Sequence, residues 1–156
     1  MTMRSSNFGA SAHEFYGGFT WEHEPVVWGF IEESYLRKYG GFLRVDFDWG
    51  ADGLWEIPFP GSAYMGISVE PRDFGISGSL AARIRAWQAS QDRLDVSERD
   101  PDPEATRAEG LEISKEVKLF LDDDYYVEYW PFREISIKGG ETVELEVPAF
   151  ITGLAR

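Results

Sequence analysis

Apolar residues at Leu80, Ile84 and Trp87 recur at i, i+4 and i+7, the spacing of one helical stripe. Ser77 or Ser79 can cap this helix, because either hydroxyl can accept an amide left unpaired in the first turn. A second helix is predicted to open at Asp102 as N-cap, with Pro103 where a missing N–H costs nothing and Glu104 favourably placed for the helix dipole. Its expected buried face is Thr106, Gly110, Ile113, Val117, Phe120 and Leu121. Gly110 costs about 1 kcal/mol against alanine in a helix interior, which a close helix crossing would explain.

The period changes from helical to alternating in the stretch Phe42–Trp49. Leu43, Val45, Phe47 and Trp49 point one way, and Phe42, Arg44, Asp46 and Asp48 the other. One covered face is expected, with Asp46 and Asp48 on the solvated side. Shorter strands are predicted at Val26–Ile31, at Leu54–Phe59, where Pro58 argues for an edge, at Met65–Val69 and at Tyr125–Trp130. A hairpin over 133–147 turns around Gly139-Gly140. A three-residue loop would set Ile137 opposite Val143 and Ile135 opposite Leu145, and a single buried face favours that register. The predicted fold is α+β: an antiparallel sheet of about five or six strands, with two antiparallel helices packed on one face. Trp87 and Ile84 should bury against Val45, Phe47 or Val127. One domain over 1–156 is expected, with its core in 42–147 and an aromatic, glycine-rich extension at 1–41.

Charge changes this picture more than composition does. Twenty-eight acidic against 15 basic residues give a formal charge of −13, which opposes nucleic acid and anionic membranes and suits a basic partner. There is no cysteine, hence no disulfide framework or thiol chemistry. No stretch is apolar over a membrane-spanning length and no signal-peptide pattern opens the chain, so a cytoplasmic location is expected. Neither glycine-rich phosphate-loop pattern occurs. His13 and His23 lack helical spacing and a third nitrogen or sulfur ligand, so no shared metal is expected. Asp122–Asp124 lacks the spacing of a calcium loop. With no nucleophile–base pair to assemble, no catalytic residue, metal or cofactor is assigned.

The acids themselves are the candidate site. Asp95, Glu98 and Asp100 lie between the helices, and Asp122, Asp123 and Asp124 follow the second helix, where they oppose its macrodipole. Glu109, Glu112 and Glu116 fall at i, i+3 and i+7 along one helix face. Together they would form an acidic stripe along the helix layer, with Trp55 as an aromatic anchor. An ordinary solvated face, with Lys115 and Lys118 among the glutamates, is the competing reading.

The segments VDFDWGADGLW at 45–55, DFGISGSLAARIRAW at 73–87 and EATRAEGLEISKEVKLFLDDDYYVEYW at 104–130 resemble a group of small uncharacterised actinobacterial α+β proteins. These have a strand, Trp-containing loop, helix, helix and strand core. Leu80, Arg83, Ile84 and Trp87 carry one motif of the resemblance, and Glu109, Gly110 and Ile113 the other. The resemblance implies an immunity- or antitoxin-like role: a binding protein that occludes a basic toxin or nuclease. A structural or regulatory interaction module, or a homodimer with no inhibitory role, is the alternative.

Overall fold

The computed structural model describes residues 39–48, 50–62, 66–94, 98–130 and 133–147. The strand expected at 26–31, the two histidines, Asp95 and the chain after 147 lie outside the described residues. Six strands form one sheet in the order β3-β2-β1-β4-β5-β6. They are β1 (Gly41–Val45), β2 (Leu54–Glu56), β3 (Ile67–Val69), β4 (Tyr125–Tyr129), β5 (Arg133–Lys138) and β6 (Glu141–Glu146). Two helices, α1 (Gly78–Asp92) and α2 (Pro103–Leu121), lie between β3 and β4 in sequence.

The sheet is mixed, not antiparallel as expected. β1 and β4 run parallel, with Arg44 beside Glu128 and Val45 beside Tyr129. Parallel neighbours need a long connection, and here it contains the β2–β3 hairpin and both helices. β2 also departs from expectation. It is an inner strand between β1 and β3, and it ends at Glu56, so Pro58 falls just beyond it.

Both helices pack on one face, in opposite directions: Arg83 of α1 meets Glu109 and Glu116 of α2, while Trp87 reaches back to Thr106. The core between helices and sheet contains Leu43, Val45, Leu54, Ile84, Trp87, Ile113, Val117, Val127 and Tyr129. The Trp87 ring meets Phe47 edge-on at a centroid distance of 5.3 Å, as the strand and helix periods anticipate. Gly110 marks a close crossing. A β-carbon there would stand 2.5 Å from the Tyr129 hydroxyl and 2.6 Å from the Trp87 ring, so no larger residue fits without displacement.

The buried face of α2 is Gly110, Ile113, Ser114, Val117, Lys118 and Leu121. These positions follow i, i+3, i+4, i+7, i+8 and i+11, a continuous helical face. Phe120 falls off that face and is 52% exposed, against the expectation of burial. Lys118 takes a place on it and is fully buried. Its ammonium donates to the Tyr125 carbonyl at 2.7 Å and lies 5.1 Å from the centre of the Tyr39 ring.

The second sheet face is covered too, which the alternation of β1 did not reveal. All five β1 residues are buried. Tyr39, Phe42 and Tyr126 pack edge-to-face there. Arg44 donates to Glu128 at 2.8 Å and to the Ser62 carbonyl, while Glu128 also accepts from Tyr126 and the Gly61 amide. Opposite charges buried at this depth persist because they pair with each other, both Glu128 oxygens accept hydrogen bonds and two Arg44 nitrogens donate them. Asp46, expected in solvent, sits half-buried at the end of β1.

The final hairpin takes the two-residue turn, not the three-residue loop. Ile137 faces Thr142 and Ile135 faces Glu144. Gly139 and Gly140 have φ of 60° and 86°, and two consecutive positive φ values match the tight turn that suits strand twist. Hydrophobic pairing did not decide register because β6 is an edge strand with no fully buried side chain. Glu144, facing the helix layer, pairs with Lys115 of α2 at 3.7 Å.

Candidate functional site

The acids predicted to form one stripe fall into three environments along α2. Its 19 residues span roughly 28 Å at 1.5 Å per residue, so its ends cannot share one site.

At the amino end, α2 opens as expected: the Asp102 carboxylate accepts from the Ala105 amide at 3.1 Å. Asp100 is tied in more tightly. It accepts from the Thr106 hydroxyl, from Gln91 at 3.2 Å and from the Asp102 amide at 2.9 Å. The Thr106 hydroxyl, followed by the Asp102 amide, holds the Asp100 carboxyl below its ordinary range. Trp87 donates its indole N–H to the Thr106 carbonyl at 3.0 Å, so the α1–α2 connection is stitched to both helices. Gln88 brackets the chain after β1: its amide oxygen accepts from the Asp48 amide and its nitrogen donates to the Asp48 carbonyl. Asp92 accepts from Gln88 and from the Gly50 amide.

These brackets leave a cleft of about 200 Å³ lined by Phe47, Asp48, Gln91, Leu94, Glu98 and Asp100. Phe47 and Leu94 supply apolar surface, while Asp48 and Glu98 are exposed acids. Close by, burial raises the Asp46 carboxyl from 3.8 to about 6, against the opposing pull of Arg44. Burial also pushes the Tyr129 phenol up to about 12; its hydroxyl donates to the Arg107 carbonyl at 2.9 Å.

In the middle of α2, the glutamates do not form an open acidic row. Arg83 of α1 pairs with Glu109 at 2.8 Å and with Glu116. Lys115 pairs with Glu112 at 3.5 Å. A sequence signal for this existed: Arg83 lies one position from Ile84, at the border of the α1 stripe, where a long cation can reach a neighbouring helix.

At the carboxyl end, Asp122–Asp124 form one exposed 3-10 turn into β4. Asp123 lies 3.6 Å from the buried Lys118 ammonium, a cation that offsets the unfavourable helix dipole. Asp122 has φ 58° and ψ −155°, backbone space that is essentially reserved for glycine. Beside these acids, Leu119 and Phe120 are each about half exposed.

Trp55 belongs with none of these groups. It sits beside Arg44 in the sheet register and donates its indole N–H to the Asp46 carbonyl at 3.0 Å. That places it on the sheet face opposite the helices. Leu119 and Phe120 were missed as exposed residues, and only counting the whole α2 face would have found them. Among the described residues, no three potential ligands stand together as a metal site, and no helix is long and apolar enough to cross a membrane. No protein family, curated protein or solved structure matches the chain.

Proposed function

We propose that the protein is an acidic protein-binding module, an immunity-type inhibitor that occludes a basic toxin or nuclease. The observation that carries this reading is the cleft beyond β1, which Phe47 and Leu94 line with apolar surface and Asp48 and Glu98 with exposed acids. Its volume of about 200 Å³ suits one long side chain. Such a lining can cover the stem of an arginine or lysine with its apolar part while its carboxylates receive the charged end. The chain's charge of −13 would steer a cationic protein toward it and slow competitors of its own sign. Asp100 shapes the cleft instead of greeting a partner, since both its oxygens already accept hydrogen bonds.

The test is capture of a partner on the immobilised protein, with crosslink mapping, repeated with an Asp48→Asn, Glu98→Gln variant. A basic protein should be captured, with crosslinks at 47–50 and 98–100, and its toxic or nuclease activity should fall on binding. The variant should associate several-fold more slowly, with a weaker dependence on salt. An acidic partner, or association indifferent to both salt and the two substitutions, would remove the reading.

A further inference from the structure

The carboxyl end of α2 combines two features that a solvated helix end does not need. Leu119 and Phe120 are 51% and 52% exposed, although they adjoin a helix face that buries Val117, Lys118 and Leu121. The Phe120 ring lies over Gly75, where a β-carbon would stand 3.9 Å from its Cζ. Gly75 follows the 3-10 turn Pro71–Phe74, which carries the exposed Asp73. Asp73 thus lies two residues before Gly75, with one carboxylate oxygen accepting from the Glu70 amide at 3.2 Å, and Asp122–Asp124 directly follow α2. Among the described residues, the cations nearby in the chain are engaged: Arg72 with Glu70, and Lys118, below the surface, with Asp123. An exposed aromatic next to a run of exposed acids has the make-up of an interface anchor, in which apolar contact supplies affinity and charge supplies selection.

We infer that Leu119 and Phe120, together with the nearby acids Asp73, Asp122 and Asp124, form a docking surface for a basic amphipathic segment of a partner protein. Charge complementarity selects that occupant. A second copy would bring the same acids against these, on chains that each carry −13. An anionic membrane would repel them likewise. The surface is separate from the cleft beyond β1, at the other end of α2. It shares with the cleft reading only the expectation of a basic partner, and it can fail while that reading stands.

The probe is a helical peptide with leucine on one face and lysine on the other, against a counterpart with glutamine in place of lysine. Binding is read by amide chemical-shift mapping on the isotope-labelled full chain. The lysine peptide should shift Gly75 and residues 119–124, and the glutamine peptide should bind far more weakly. Phe120→Ser should weaken binding about 10-fold or more, with a melting temperature within a few degrees of wild type because the ring is half exposed. Asp122→Asn with Asp124→Asn, which spares the Asp123–Lys118 pair, should weaken it about 3-fold and flatten the salt dependence. Leu119→Ser serves as the second apolar variant should Phe120→Ser fold poorly. Shifts confined to Phe47–Asp48 and 98–100 would overturn the inference and leave the cleft reading in place. Equal affinity for both peptides would overturn it as well. So would a dimer in sedimentation that Phe120→Ser dissolves, since the occupant would then be a second copy.

Discussion

The two ends of α2 begin from the same chemistry and end with opposite roles for it. Each is flanked by a run of aspartates. At the amino end, Asp92, Asp100 and Asp102 accept hydrogen bonds from amides and side chains of α1, α2 and the chain after β1. The charges of Asp100 and Asp102 meet the start of α2, where the dipole favours them, while Asp92 ends α1. At the carboxyl end, Asp122 and Asp124 make no side-chain hydrogen bond or ion pair among the described residues, and only Asp123 approaches a cation. One end uses carboxylates to build tertiary structure, and the other displays them beside exposed Phe120. An acidic run in sequence therefore says little about surface until the donors around it are known.

The largest expected effect would break the amino end. Trp87 is 4% exposed, fills the space against Gly110 and Phe47, and holds the Thr106 carbonyl. Trp87→Ala should cost about 3–5 kcal/mol in a denaturant melt. It should also loosen the connection held by Asp100, seen as faster amide exchange at 99–102. A loss below about 1 kcal/mol would mean that this end is not the rigid one.

A second experiment sharpens the comparison through pH. Asp46 is held at about 6 against 3.8 when unperturbed, chiefly by burial, so the folded chain binds that proton more tightly than the unfolded chain. The stability this provides is complete below about pH 4 and is lost as pH rises through about 6, at most about 3 kcal/mol. Asp46→Asn should therefore be more stable than wild type at pH 7.5 and should show a flatter profile between pH 4 and 7. An unchanged profile would assign the pH dependence to other groups.

The smallest effect lies at the carboxyl end. Asp122→Gly should stabilise the protein by about 1 kcal/mol, because it relieves a positive φ and removes a negative charge from a helix C-terminus. Destabilisation by this change would show that the Asp122 carboxylate has a structural partner, and the contrast between the ends would weaken.

Much of the helix layer was legible because its signals are local. Asp102 and Pro103 start α2 where capping chemistry requires, and Ile84 and Trp87 bury where the stripe places them. Gly110 in a helix interior pointed to a close contact, and Tyr129 and Trp87 are that contact. The candidate site was less legible. Glu109 and Glu116 share a face as their spacing requires, yet that face meets Arg83. Intervals within one helix carry no information about a cation on another.

By itself, the sequence determined the helices, most strands, the antiparallel helix pair on one sheet face and the excess of negative charge. Each follows from period, capping and turn chemistry acting over a few residues, or from composition. Only the tertiary structure decided the parallel pairing of β1 with β4, the burial of Arg44, Glu128 and Lys118, and which acids are bonded and which displayed. Burial of a charge depends on whether distant groups complete its hydrogen bonds. Exposure of Phe120 depends on how far round α2 the sheet and the neighbouring turns reach, and neither distance is written in the local pattern.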